Sequence, residues 1–375
     1  MERIISSAFV ALIPTNKIIL VSGPKNTGKL AFIEAALSKN KYKHQKFELG
    51  DERIREEINK LSLAELLWLG NQSDHMLLCE CEHLVLLQEF LDEVLNGKVK
   101  ASIMLTASTQ PKIEEELLEA LAYQGAHFYL PPPTFYEYTN ETSLPIESKG
   151  IDQRLIYGNY HPLDTQKIIK EEGLNQTINK IVEANFSASH RINKSAVLLR
   201  TIQVLANHIG QPISYNQIAS FIGVDNETIE RYISLLCQSH VLYRLPTFTT
   251  DKKYELKKTN IFIFLDNGIR NASINNFNDL LMRMDIDALW MNWLIAERIK
   301  WNKMNKVMAE YFFWRSHTRQ QVDFIECNAK GMQGYKFKYN KKKPLKKPPL
   351  FQNHYPDIPV HTVNTGTYFS FLSKR

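Results

Sequence analysis

The sequence predicts an α/β protein: a parallel sheet with helices on both faces, followed by a helix-rich unit closed by a hairpin and then a smaller α/β region. Three observations carry this. Up to about residue 130, short apolar runs alternate with helical patterns, the rhythm of strands joined by crossover helices. A glycine loop, Gly23-Pro24-Lys25-Asn26-Thr27-Gly28-Lys29, sits between an apolar β-branched run and a helical pattern. Further on, a helix, a short helix, a glycine turn and a third helix lead into two extended runs.

Strands are expected at 18–21, 44–49, 76–81, 102–106 and 127–130, with helices at 30–38, 52–68, 84–95 and 112–122. Pro131-Pro132-Pro133 lacks backbone donors and ends the sheet, so the first domain spans 1–140. Residues 141–190 read as helical and polar, broken at Tyr157-Gly158-Asn159-Tyr160. A helix follows at 195–208. Ser214 caps another at 215–221, Gly223 makes the turn, and Asp225 caps a third at 226–238. Extended runs at 242–248 and 254–265 flank the basic turn Lys252-Lys253. This is the order of a winged helix-turn-helix, within a region spanning 141–275. Residues 276–375 show two apolar-rich helices around 279–303, strands at 309–314, 321–327 and 334–339, and a basic tail.

The glycine loop fits G-x-x-x-x-G-K, in which backbone N–H groups cradle phosphate oxygens at a helix start. Gly23, Pro24, Lys25, Asn26, Thr27, Gly28, Lys29 and Leu30 are the candidate phosphate-binding residues. Lys29 is placed to reach the terminal phosphates. The full motif continues with Ser or Thr, whose hydroxyl ligates Mg²⁺. Here that residue is Leu30.

Phosphate-loop hydrolases also end a hydrophobic strand in an acidic Mg²⁺-binding residue. The corresponding run is Met76-Leu77-Leu78-Cys79-Glu80-Cys81-Glu82, and the Asp position is Cys79, a poor ligand for a hard cation. Glu80 remains as a candidate water-activating residue. A one-residue slip would instead offer Glu80 to a metal, turning every side chain of the strand to the opposite face. His75, Cys79, Cys81 and His83 would share one strand face, but their spacing lacks the turn a tetrahedral zinc site needs. Buried thiols are expected. Thr106 and Ser108, at the end of the fourth strand, are candidate sensors of a terminal phosphate.

Lys and Arg number 46 against 40 Asp and Glu, a net charge of +6. Residues 1–150 hold 15 basic against 21 acidic residues, and residues 151–375 hold 31 against 19. An acidic front and a basic rear suit a nucleic-acid partner or a solvated lysine-rich surface. Four cysteines without regular spacing argue against a disulfide framework. The apolar stretch 8–13 is too short to span a membrane, and a cytoplasmic protein is expected.

The winged-helix region offers Arg231, Lys252, Lys253, Lys257 and Lys258 to a nucleic-acid backbone, although Glu227 and Glu230 oppose it. In the last region, Asp323 and Lys338 fit a metal-dependent nuclease of the restriction type, which needs Asp on one strand and Glu-x-Lys on the next. Lys336 occupies the Glu position. Lys341, Lys342, Lys343, Lys346 and Lys347 extend a basic patch. A degenerate nuclease-like fold and a plain hairpin with a lysine tail both remain open.

The order of parts resembles the prokaryotic AAA-type ATPases that carry a winged helix and a C-terminal restriction-nuclease-like domain of unknown function. Its markers are the Gly23–Lys29 loop, Leu105-Thr106-Ala107-Ser108, Leu130-Pro131-Pro132-Pro133-Thr134-Phe135, and Phe264-Leu265-Asp266-Asn267-Gly268-Ile269-Arg270. Asn292 with Glu297, Trp314-Arg315 and Val322-Asp323-Phe324-Ile325 complete them. The resemblance implies a P-loop sheet, ATP binding, ATP hydrolysis and DNA association. Departures fall at Leu30, Cys79, Tyr123-Gln124 (Gly-Arg in the family), Met291 (Glu) and Lys336 (Glu). The expectation is a degenerate ATP-binding protein, with weak ATP affinity, little or no hydrolysis, and substitutions that argue against Mg²⁺. The alternative is a nucleic-acid-binding or scaffolding protein that no longer uses nucleotide. Oligomeric state is left open.

Overall fold

The computed structural model describes residues 2–124, 126–184, 191–249, 259–340 and 348–373. It divides into two compact units, Glu2–Pro131 and Pro132–Arg375.

In the first unit, β1 (Ile18–Ser22), β2 (His44–Glu48), β3 (His75–Cys79), β4 (Ser102–Ala107) and β5 (His127–Tyr129) form one parallel sheet in the order β2-β3-β4-β1-β5. β1 and β3 are buried at every position, as strands covered on both faces must be. Leu20, Met76, Leu78, Ile103 and Leu105 pack with Phe90, Leu91 and Val94 of α5 (Leu87–Leu95). Ile19, Val21, Leu77 and Met104 alternate with them and are equally buried. Phe9, on α1 (Ser6–Leu12), meets the rings of Phe32 and Phe128. The remaining helices are α2 (Lys29–Lys39), α3 (Glu52–Asn59), α4 (Leu63–Leu69) and α6 (Glu115–Tyr123).

Two local expectations change here. The helix expected over 52–68 is two helices, because Ser62 and Glu65 form a capping box that starts α4 afresh. β3 stops at Cys79, since Glu80 adopts a left-handed backbone (φ 56°) and Cys81–His83 forms a 3₁₀ turn. Cys81 and His83 therefore leave the strand and cannot share a face with His75 and Cys79.

The second unit begins with α7 (Phe135–Glu141), α8 (Leu144–Lys149), α9 (Ile151–Tyr157), α10 (Lys167–Ala184) and α11 (Arg191–Asn207). Then come β6 (Ile213–Ser214), α12 (Tyr215–Ile222), α13 (Asn226–Gln238), β7 (Leu242–Pro246) and β8 (Thr259–Phe264). The three strands form an antiparallel sheet in the order β6-β8-β7. Ser214 and Gln217 form a capping box, Gly223 turns at φ 82°, and Asp225 accepts the Thr228 N–H at 2.7 Å. Residues 254–258 of the anticipated return run, with Lys252 and Lys253, lie outside the described residues.

A short helix, α14 (Asn267–Ser273), precedes α15 (Ile286–Met304). The two helices expected around 279–303 are thus one long helix after a 3₁₀ turn at Leu280–Met282. β9 (Ala309–Arg315), β10 (Gln321–Asn328) and β11 (Gly331–Phe337) run antiparallel, and β12 (Val360–Val363) joins β11 in parallel. The sequence reading did not anticipate α16 (Pro349–His354), β12 or α17 (Tyr368–Ser373).

One hydrophobic cluster runs through this unit from Phe135 to Leu372. A buried polar network threads it. Asn292 pairs through its amide with both backbone groups of Phe264, at 2.9 and 2.8 Å. Glu297 accepts from the Phe135 N–H at 2.6 Å and from Asn159 at 2.9 Å, and pairs with Lys300. Asp266 accepts from the N–H groups of Asn159 and Gly268. A Cβ on Gly158 (φ +66°) would fall 1.9 Å from Asp266 Oδ1, so this close approach requires glycine. Among the described residues no helix is long and apolar enough to cross a membrane.

Candidate functional site

The carboxyl ends of parallel strands are where such sheets bind ligands. Here β1 leads directly into the glycine loop. Gly23 is required by space, since a Cβ there would lie 2.2 Å from the Leu130 carbonyl oxygen. Gly28 is required by conformation: it caps α2 at φ 77°, with nothing within 4 Å of a would-be Cβ. The first N–H groups of α2 have no partner within the helix, and its dipole favours an anion there.

A cleft of about 240 Å³ opens at this edge. It is lined by residues 26–30 of the loop and helix start, by Glu48, Gly50 and Asp51 at the end of β2, by Cys79 and Glu80, and by Thr106 and Ser108. The loop residues expected to bind phosphate therefore meet both sensor candidates and Glu80. Pro24 and Lys25 belong to the same loop, Pro24 through its carbonyl on Lys29 and Lys25 through its ammonium on Glu80.

Lys29 is buried. Its ammonium donates to the carbonyl oxygens of Gly23 (2.9 Å) and Pro24 (2.7 Å) and to Ser108 Oγ (2.9 Å). All three protons are thus engaged. Burial lowers its pKa to about 8, against the pull of Glu82 and Glu80 and with a push from Lys25. Keeping the charge in the free protein costs about 3 kcal/mol. A bound polyphosphate would offset that cost.

Glu80 projects from the left-handed position after β3. Its N–H donates to Thr106 Oγ1 at 3.0 Å, and its carboxylate takes Lys25 Nζ at 2.5 Å with His83 at 3.7 Å. Burial would raise this carboxyl, but His83 and Lys25 prevail and hold it at about 2. Glu80 is an anion at any working pH. The sequence reading missed Glu82, whose Oε1 accepts the N–H groups of Ser108 and Thr109 at 2.9 and 3.2 Å. It also missed Asp51, which caps α3 by accepting from the N–H groups of Arg53 and Ile54. As a helix cap directly after the second strand, Asp51 was legible as a residue of the binding edge.

Magnesium needs oxygen ligands in near-octahedral array. Leu30 presents an alkyl side chain to the cleft, and Cys79 is a buried thiol whose pKa burial pushes up to about 12. Among the described residues no group of three or more His, Cys, Asp or Glu is arranged around a metal position. The two positions that hold the ion in the full motif, Leu30 and Cys79, offer it no oxygen.

The other candidates are dispersed. Arg231 is exposed on α13, its guanidinium 5.4 Å from the Tyr232 ring centre, beside the exposed Glu227 and Glu230. Lys252, Lys253, Lys257, Lys258, Lys341, Lys342, Lys343, Lys346 and Lys347 lie outside the described residues. Asp323, on β10, accepts from Gln321 Nε2 at 3.0 Å and from the Phe337 N–H at 2.9 Å. Burial raises its pKa, while Lys336 works against the rise. Lys336 donates to the Gln321 carbonyl and Lys338 pairs with Asp287. These three nuclease-like positions are tied into the sheet and its helix, and Lys336 stands where the Glu was expected.

The Lys29 pKa has a measurable consequence. A bound triphosphate favours the ammonium, so ATP binding at pH 8.5 should take up a fraction of a proton, and that uptake should shrink as the pH falls toward 7.5. Calorimetry in buffers of different ionisation heat checks this, and Lys29→Arg should abolish the uptake. Buffer-independent heats for the wild type at pH 8.5 would contradict it.

Comparison with known proteins agrees with the geometry of the first unit. Residues 15–139 match the family model described as an AAA domain, and residues 149–280 match a domain of unknown function, DUF8612. An uncharacterized protein of Haemophilus influenzae is 22% identical over 192 residues, 48% of each chain. The chain thus spans about half the length of that relative. Among solved structures, a Walker-type ATPase of Pyrococcus abyssi aligns at 12% identity and a TM-score of 0.45, covering 73% of this chain and 95% of the other. AMPPCP-bound DnaA from Aquifex aeolicus aligns at 16% identity and a TM-score of 0.31, covering 61% and 84%. Residues 15–139 form an AAA-type, ATPase-like domain.

Proposed function

We propose that the first unit binds a nucleoside triphosphate, with ATP as the expected ligand, and hydrolyses it very slowly or not at all. One observation carries this reading: the loop and Lys29 are shaped for phosphates, while the two positions that would hold Mg²⁺ are an alkyl side chain and a neutral thiol. Phosphoryl transfer depends on a metal to neutralise charge on the β- and γ-oxygens. Glu80 alone supplies only a base, and that base is bound to Lys25. Turnover with Mg²⁺ should fall below about 10⁻² s⁻¹, against 1–100 s⁻¹ for ordinary kinases. A rate in the ordinary range, lost in Lys29→Ala, would reject the reading.

A second element of the proposal concerns nucleic acid. The order α11, β6, α12, α13, β7, β8 supports a winged helix within 141–275, and the excess of basic residues after position 150 supports a polyanionic partner. The exposed face of α13 argues against base reading by that helix, because Glu227 and Glu230 flank Arg231. Any contact is therefore with the phosphate backbone, through Lys252, Lys253 and residues 338–347. Binding to random-sequence duplex DNA should weaken steeply with salt and fail when Lys341, Lys342 and Lys343 become Gln. No shift at low salt would remove this element and leave the nucleotide reading intact.

A further inference from the structure

The free cleft holds more carboxylates than ammonium groups, with Glu48, Asp51 and Glu80 in its lining beside Lys29. Lys29 and Lys25 face Glu80 and Glu82, and Lys46 nearby is engaged by Glu34 and Glu48. A triphosphate brings several further negative charges, and the two positions that would ligate a metal in the full motif, Leu30 and Cys79, offer it no oxygen. The nearest cation not tied to loop carbonyls is Lys25. Its ammonium lies 2.5 Å from Glu80 Oε2, and its side chain is only 15% exposed. It is also close enough to Lys29 to depress that residue's pKa. Two ammonium groups thus share one phosphate loop, and one of them holds a carboxylate that an incoming phosphate would have to replace.

Resting on the nucleotide reading above, we propose that Lys25 is the built-in counter-ion of this cleft: on binding, its ammonium passes from Glu80 to the outer phosphates, where hydrolytic phosphate-loop proteins carry a divalent cation. The ligand class is a nucleoside triphosphate free of metal. An ammonium neutralises charge by hydrogen bonding but carries no coordinated water and imposes no octahedral geometry. The exchange therefore gives binding without turnover. It also leaves Glu80 with His83 in place of Lys25 beside the phosphates, which opposes retention of the ligand and sets a modest affinity.

The test is a titration of the full chain with a fluorescent ATP analogue, once with excess EDTA and once with Mg²⁺, on wild type, Lys25→Gln, Lys25→Arg, Glu80→Gln and Lys29→Gln. Wild-type affinity should agree within about twofold between the two conditions. Lys25→Gln should lose about tenfold or more, which Mg²⁺ does not restore, while Lys25→Arg keeps most of the affinity. Glu80→Gln should bind more tightly, since the competing carboxylate is gone. Melting curves that match wild type exclude unfolding as the cause. Wild-type binding that collapses in EDTA, or a Lys25→Gln variant that binds like wild type, overturns the counter-ion role alone. No binding by wild type in either condition, indistinguishable from Lys29→Gln, overturns the nucleotide reading and this proposal with it.

Discussion

The grip of Lys29 on its own loop is the interaction on which the site depends. Its ammonium ties the carbonyls of Gly23 and Pro24 to Ser108 at the end of β4, so one buried charge fixes the loop against two strands. Backbone carbonyls and a hydroxyl repay only part of the desolvation, which is why the pKa falls to about 8. A group held at that cost is poised for a better partner. Phosphate oxygens, carrying formal charge, are such a partner. The cradle is therefore occupied by its own lysine rather than collapsed.

Around this centre the polar groups are arranged by charge and not by coordination. Glu80 is paired with Lys25, Glu82 collects two N–H groups from the segment after β4, and Asp51 caps α3. Each carboxylate has an internal task. Hydrolytic sites instead aim oxygen atoms at a common metal position. On the proposed reading, Leu30 and Cys79 stand at the positions from which that would be done. The same division appears in the second unit, where Asp266, Asn292 and Glu297 hold backbone segments together through buried hydrogen bonds. Asp323 is likewise absorbed into its sheet, accepting the Phe337 N–H across the strand pair.

Much of the first unit was legible because parallel strands buried on both faces produce dense apolar runs. β1 and β4 fall within a residue of their expected ends, and the glycine loop declares its own geometry. The end of β3 was less legible. Apolar content continues through Cys81, but the left-handed turn at Glu80 is imposed by tertiary contacts: its N–H meets Thr106 and its carboxylate meets Lys25. Those partners are 26 and 55 residues away in sequence, beyond any local pattern. The break between α3 and α4 was visible in principle as the Ser62 and Glu65 box, yet it lay inside a stretch that reads as helix throughout. β12 was missed because a four-residue strand buried only at its two ends, after a proline-rich stretch, carries little period of its own.

A crystal structure of the full chain grown with a non-hydrolysable ATP analogue and Mn²⁺, with anomalous data collected for manganese, is the most direct measurement of the central claim. The account predicts a triphosphate on the N–H groups of the 23–29 loop with Lys29 and Lys25 turned onto it, and no manganese peak beside the phosphates. A manganese ion coordinated between the phosphates and Glu80 or Asp51, or a cradle that stays closed on Lys29 at saturating ligand, would contradict it.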